Sequence, residues 1–183
     1  MKDDYTYVSM ELNTQVNTDL KIIEGKGKIR SYNDDDTYED IGFFTVSIMN
    51  IYNLTETNLF DVFDSVNDAL SIYEYLKPQI DDNDFEIEGM NWGSLMVIGM
   101  MNVNKNHRNK GIGSQILKEI LEWGKIADMG CIILQASAYE SEKENKLNES
   151  KRLKEFYEKN GFLELSEDPD SQGFLMYYDF THV

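Results

Sequence analysis

Residues 93–103 (Gly-Ser-Leu-Met-Val-Ile-Gly-Met-Met-Asn-Val) are apolar almost without interruption. Such a run fits neither a half-solvated strand nor a surface helix. It asks for a central strand buried on both faces, and so for layers above and below a sheet. A short polar loop follows, then a helix of about 16 residues from Gly113 onward, with Ile116, Leu117, Ile120, Leu121, Trp123 and Ile126 as its apolar positions and Gly130 as its end. Residues 131–138 (Cys-Ile-Ile-Leu-Gln-Ala-Ser-Ala) form the next strand. A strand, a crossover helix and a second strand make parallel neighbours.

The flanks are of a different kind. Residues 5–13, 20–32 and 41–54 read as three strands of a meander, with Gly25 and Gly27 suggesting a bulge and Asn33–Asp36 a turn. The period then changes. Over residues 57–77, Leu59, Phe60, Val62, Phe63, Val66, Ala69, Leu70, Tyr73 and Leu76 share one helical face, with Thr57 as a cap and Pro78 as the stop. Residues 139–148 are polar, an exposed insertion or the start of a helix. Ser150 to Lys159 is a helix ending at Asn160-Gly161. Residues 162–165 and 174–180 are the last strands, joined by a turn around Pro169. The strand Phe174–Tyr178 would serve equally to extend a sheet across a homodimer or to pair within the chain. The fold class is α+β: a mixed, mostly antiparallel central sheet with helices on both faces.

With 183 residues, the chain has the length of one domain. No apolar window is long enough for a membrane span. Met1-Lys2-Asp3-Asp4 is acidic and no signal-type apolar stretch follows, so a cytoplasmic location is expected. One cysteine, Cys131, and two histidines, His107 and His182, give neither an internal disulfide nor a Cys/His zinc site.

The formal net charge of −17 argues against nucleic-acid binding. The charge is unevenly spread: residues 105–159 hold 11 bases and 9 acids, whereas residues 1–104 hold 6 bases and 20 acids. One reading is a solvated acidic surface. The other is an anion met by residues 105–159 while the remainder attracts a cation.

The loop between buried strand and helix sharpens that choice. Val103-Asn104-Lys105-Asn106-His107-Arg108-Asn109-Lys110-Gly111-Ile112-Gly113-Ser114 carries three bases and two glycines. Glycine lets backbone approach a ligand closely, and the first turn of a helix offers unpaired N–H groups in a field that favours an anion. A phosphate or pyrophosphate held by backbone amides from Arg108 to Ser114 follows. The segment is neither a P-loop nor a three-glycine dinucleotide fingerprint.

Val103, Arg108, Gly111 and Gly113, spaced as Val-x-x-x-x-Arg-x-x-Gly-x-Gly after an apolar strand, resemble the signature of the GNAT N-acetyltransferase superfamily. Phe156-Tyr157-Glu158-Lys159-Asn160-Gly161-Phe162 is similar to that superfamily's Tyr-x-x-x-Gly-Phe segment. The resemblance spans about residues 93–165. It divides a single domain, 1–183, into a divergent acceptor-side half (1–92), an acetyl-CoA-binding core (93–165) and a C-terminal strand region (166–183).

The resemblance implies an acyl-CoA N-acyltransferase fold and direct transfer of acetyl from acetyl-CoA to an amine. The pyrophosphate would lie on the amides of Arg108, Asn109, Lys110, Gly111, Ile112, Gly113 and Ser114. The pantetheine arm would run along Met101, Asn102 and Val103. Tyr157 matches the tyrosine that protonates the leaving thiolate; by pattern alone it is equally a core residue of its helix. The family's cofactor-contacting Asn, seven residues before that tyrosine, is here Ser150, with Asn148 close by. No metal is implied.

The chain departs from the family in placing its helix after three strands rather than between the first two. Residues 93–103 hold no carboxylate to deprotonate an ammonium. Glu86 and Glu88, just before that run, could reach the site or could be a solvated loop. Cys131 reads as a small buried residue, His107 as exposed, and Trp92 and Trp123 as packing. The expected partners are acetyl-CoA and a cationic amine acceptor, a small molecule or a protein amine, with no nucleic acid and no membrane. The competing reading is a catalytically silent CoA-binding or acidic protein-interaction module on the same fold.

Overall fold

The computed structural model describes residues 7–34, 36–53, 56–66, 70–139, 143–168 and 173–182. Its strands are β1 (Tyr7–Asn17), β2 (Ile22–Tyr32), β3 (Tyr38–Asn50), β4 (Ser94–Val103), β5 (Cys131–Ala136), β6 (Leu163–Asp168) and β7 (Gly173–Asp179). Its α-helices are α1 (Glu56–Ser65), α2 (Leu70–Asp82), α3 (Ile112–Ile126) and α4 (Lys143–Lys159). The strands form one seven-stranded sheet in the order β1-β2-β3-β4-β5-β7-β6. Every neighbouring pair is antiparallel except β4 and β5, which are parallel. That exception is what the crossover through α3 requires.

Each face of the sheet has its own core. On one, Ile29, Phe44, Met96, Ile132 and Met176 pack under α3 and α4, with Ile116, Ile120, Tyr157 and Phe162 coming from the helical layer and its C-terminal turn. On the other, Met49, Leu95, Val97, Cys131 and Ile133 pack under α1 and α2 through Val62, Phe63, Ile72 and Leu76. Alternation along β4 sends Met96 to one core and Leu95 and Val97 to the other, which is why the run is apolar throughout.

Several sequence-based expectations are corrected. The ladder runs unbroken through Gly25 and Gly27, and the register shift falls between Ile29 and Arg30. Gly27 is small for packing instead: a Cβ there would lie 2.0 Å from the Phe44 ring. Residues 57–77 are two helices, not one. Thr57 lies inside α1, and Pro78 sits within α2, which continues to Asp82. Ala69 and Pro169 lie outside the described residues. The polar stretch after β5 is in part α4 itself, which begins at Lys143. Asp128, at φ 54°, takes the left-handed turn after α3, while Gly130 presses against Gly89, where a Cβ would lie 1.9 Å from the Gly89 oxygen. β7 lies between β5 and β6, so Phe174–Tyr177 pair within the chain on both sides and Tyr178 pairs with β5.

Candidate functional site

β4 loses one neighbour halfway along. Its ladder with β5 runs only from Leu95↔Cys131 to Ile98↔Leu134, whereas its ladder with β3 continues to Val103. β5 meanwhile stays with β7 to Ala136↔Phe174. Beyond Ile98 the two parallel strands therefore part. Exposure follows the same line: Leu95 to Ile98 are buried, and Gly99 to Val103 are half-buried. Along that second half the backbone groups facing β5 have no strand to bond, so an extended ligand with amides of its own finds a ready edge.

A feature that sequence reasoning missed sits where the strands part. Phe44 faces Met101 and Val46 faces Ile98, so Gly99 and Met100 together oppose Thr45 in a β-bulge. The Met100 N–H donates to Thr45 Oγ1 at 2.9 Å, and a Cβ on Gly99 would lie 2.9 Å from that same oxygen. A lone glycine inside an apolar strand was the available signal. Thr45, on another strand, gave none.

The loop that leaves β4 is tied down. Asn104 N–H donates to the Ile41 oxygen at 2.8 Å, and His107 Nε2 lies 3.8 Å from Glu39 Oε1. His107 is thus buried rather than exposed. The Arg108 guanidinium folds back over the end of β4, with Nε donating to the Val103 oxygen at 2.7 Å and a terminal nitrogen to Asn102 Oδ1 at 3.4 Å. The Arg108 N–H is taken by the Lys105 oxygen at 3.3 Å, which removes the first of the expected anion-binding amides.

Past it, Asn109 (φ 63°) and Gly111 (φ 80°) turn the chain through left-handed conformations into α3. No atom lies within 4 Å of a Cβ built on Gly111, so this glycine is set by backbone conformation and faces open space. The first helical bond runs from the Gln115 N–H to the Gly111 oxygen at 3.0 Å. The amides of Ile112, Gly113 and Ser114 precede it and point out of the helix start. Gly111 provides no side-chain cap, and Lys105, Arg108 and Lys110 bring positive charge along the loop. An anion is the natural occupant of such a terminus.

Gly113 serves differently. A Cβ there would lie 3.3 Å from the Phe156 ring, so its smallness lets α3 start against α4. Asn160 Nδ2 donates to Ser114 Oγ at 3.4 Å across the same contact. Tyr157 follows, buried between Phe156 and Phe162 at ring separations of 5.1 and 5.6 Å. Burial, with a smaller contribution from Tyr139, holds its phenol well above the ordinary tyrosine range, so it stays protonated. Ser150, fully buried seven residues earlier, accepts the Ala138 N–H at 3.1 Å on its Oγ and pins α4 to the end of β5. Asn148 is exposed.

The remaining candidates lie elsewhere. Glu86 and Glu88 flank the start of β4, the end opposite the loop. Glu86 accepts the Tyr75 hydroxyl at 2.8 Å. Tyr75 is pushed up to about 12, first by burial and then, among hydrogen bonds of opposing effect, by Glu86 itself. Cys131 is buried at the start of β5 with its thiol pushed up, chiefly by burial. Trp92 is exposed rather than packed.

Two parallel strands thus part beside a helix start, so an open strand edge adjoins outward-pointing helix amides. Residues 79–164, just under half of the chain, match the family model described as acetyltransferase (GNAT) domain. This segment is similar to that family. No curated protein matches the sequence.

Solved structures share its outline. An arylalkylamine N-acetyltransferase 2 from Aedes aegypti has 14% identity over 83% of this chain and 72% of its own, with a TM-score of 0.49. An acetyltransferase from Bacillus cereus ATCC 14579 has 15% identity over 93% and 74%, with a TM-score of 0.45. A Bacillus anthracis str. Ames protein assigned as a streptothricin acetyltransferase, in complex with acetyl coenzyme A, has 16% identity and a TM-score of 0.45; 86% of this chain spans 62% of it. At this distance none of them bears on the acceptor of this chain. Among the described residues, no helix is long and apolar enough to cross a membrane.

Proposed function

We propose that this chain is an acetyl-CoA-dependent N-acetyltransferase that moves acetyl directly to a primary amine, acting in the cytoplasm. The observation that carries the reading is the meeting, at one end of β4, of a strand edge that β5 has left with the amides of Ile112, Gly113 and Ser114 at the start of α3. Coenzyme A has parts for both: a diphosphate for the amides and a chain of amides for the edge at Met101, Asn102 and Val103. The open space at Gly111 suits a diphosphate oxygen, and Arg108, Asn109 and Lys110 flank it. For Arg108 to reach that anion, it must release the Val103 oxygen that it now holds. Ser150 and Asn148 stand where the family's cofactor-contacting Asn falls; Ser150 is held at the end of β5 by the Ala138 N–H, and Asn148 is exposed.

In the reaction a C–N bond forms between amine and thioester carbonyl, the C–S bond breaks, and the amine loses the proton that the thiolate gains. Tyr157 is the donor this chain offers. A phenol held protonated by burial can share its hydrogen with developing thiolate charge at any physiological pH. The excess of acids outside residues 105–159 favours a cationic acceptor.

One observation favours a second reading, a silent CoA-binding or acidic interaction module: β4 has no carboxylate, and Glu86 and Glu88 lie at its far end. Thiol release from acetyl-CoA with a panel of amines separates the two. Turnover that falls at least about tenfold in Tyr157→Phe supports the enzyme. Tight CoA binding with no turnover on any amine supports the module. No thermal shift with either CoA or acetyl-CoA sinks the enzyme and the CoA-binding module and leaves the acidic interaction module standing.

A further inference from the structure

We infer that the β1 edge of the sheet is a self-association surface, where a second copy of this chain adds its own β1 antiparallel and makes one continuous sheet. The two edges of the sheet differ in how they guard against such pairing. β6 is only six residues long, a short edge that offers another strand little to pair with. β1 is eleven residues long with Glu11 as its single charge, in a chain that is 28% charged. It has no proline and no lysine, and its ladder with β2 has no bulge.

The backbone fixes which residues would pair. The Val8 oxygen accepts Gln115 Nε2 at 2.8 Å, so the groups of Val8 point away from β2. By the alternation of an antiparallel ladder, those of Met10, Leu12, Thr14 and Val16 do as well. Val8 is already occupied, which leaves these four. They satisfy one another in a single two-fold register that leaves Val8 out: Met10 with Val16 of the second copy, Leu12 with Thr14, and Asn13 on the axis. Glu11 then faces Gln15, and no like charges oppose each other.

A second feature fits the same register. A groove of about 480 Å³ lies between β1 and α3, beside Tyr7, Met10, Gln115, Trp123 and Ile126. It lies on the β1 side of α3, three strands along the sheet from β4. Tyr7 is 60% exposed and Ile126 82%. Val16, on the same side of the sheet as Met10, is 64% exposed at the other end of the strand. The two-fold places each Val16 opposite the other copy's Met10, at the mouth of that groove. Residues 13–17 (Asn-Thr-Gln-Val-Asn) are uncharged, so they meet Glu119 and Glu122 without repulsion.

Light scattering on the size-fractionated full chain is expected to give twice the 21.3 kDa chain mass. Two bodies of net charge −17 repel, so the dimer tightens as salt is added. Thr14→Pro removes an outward N–H that a solvent-facing edge can spare, and Val16→Glu buries a charge at the groove. Each is expected to give monomer with an unchanged circular dichroism spectrum.

Register is read by oxidation. Asn13→Cys brings two thiols together across a non-hydrogen-bonded pair, with Cα atoms about 4.5 Å apart, and forms a covalent dimer. Gln15→Cys, whose copies lie roughly 13 Å apart, does not. Buried Cys131 does not compete. A wild-type mass of one chain at every concentration and salt overturns the inference. So does a dimer that survives both Thr14→Pro and Val16→Glu, or one in which Gln15→Cys cross-links as readily as Asn13→Cys.

Discussion

The two halves of β4 are built from nearly the same residues and do opposite work. Leu95–Ile98 has a strand on each side and a core on each face; Gly99–Val103 has β3 on one side and an opening on the other. Composition does not separate them, since both contain methionine and aliphatic residues. What separates them is the neighbour. The first half is held against β5 by a backbone contact so close that Gly89 and Gly130 admit no side chain. The second is released by the bulge at Gly99 and Met100, after which β5 keeps to β7. An open edge thus arises from a partner withdrawn, not from special side chains.

The contrast breaks most severely at the tight end. A Cβ on Gly89 would lie 2.0 Å from the Gly130 oxygen, backbone against backbone, and nothing flexible can give way. Gly89→Ala is expected to cost at least about 3 kcal/mol, read by urea unfolding. If Gly89→Ala unfolds at wild-type denaturant, the tight end is not tight.

Two methionines test the same contrast at equal chemistry. Met96 is fully buried, whereas Met101 is half-buried beside the opening. Met96→Ala is expected to cost about 2–5 kcal/mol, and Met101→Ala less than half as much. Acetyl-CoA affinity should move the other way, weakening in Met101→Ala while the refolded Met96→Ala protein still binds. Calorimetric titration checks this, and equal stability losses at the two positions would remove the distinction between the halves.

How legible these halves were depends on whether the signal is local. The apolar run, the crossover and the Asn160-Gly161 cap are written in adjacent residues, and the structure has all three: β4 with a core on each face and parallel to β5, and Gly161 at φ 91°. The parting of the strands was not legible. It depends on Thr45 meeting Gly99 and Met100 from a strand more than fifty residues away. The packing role of Gly113 was hidden for a related reason: a glycine that makes room for Phe156 looks identical, in sequence, to one that makes room for a ligand. Pro78 reads locally as a stop, yet α2 runs through it, because tertiary packing of Ile72 and Leu76 outweighs a local preference.

Ser150 sharpens the comparison at intermediate size. It anchors the far wall of the opening, so Ser150→Ala leaves the buried Ala138 N–H without its partner and is expected to cost about 1–3 kcal/mol. Restoring the family's residue, Ser150→Asn, adds volume to a fully buried position and is expected to cost a similar amount by overpacking. A Ser150→Asn protein at least as stable as wild type would show that the wall is looser than the packing of α4 on β5 implies.

The smallest effect concerns Tyr157 and needs its sign worked out. Its folded-state pKa is raised above the ordinary value of 10.0, first by burial. Folding therefore favours the protonated phenol, and between about pH 10 and the folded value the native state binds more protons than the unfolded chain. Stability from this group is fully present below about pH 10 and falls as pH rises beyond it. Tyr75 and Tyr178, also raised, contribute to the same decline, so the quantity to read is wild type minus Tyr157→Phe. That difference should be flat from neutral pH to about pH 10 and should then shift toward the variant, in urea unfolding across the alkaline range. A difference that stays flat above pH 10 would mean that the phenol is solvated in the folded chain. Tyr157 would then sit among the exposed residues of the open half of the molecule rather than between Phe156 and Phe162, and its candidacy as a proton donor held ready by burial would lapse.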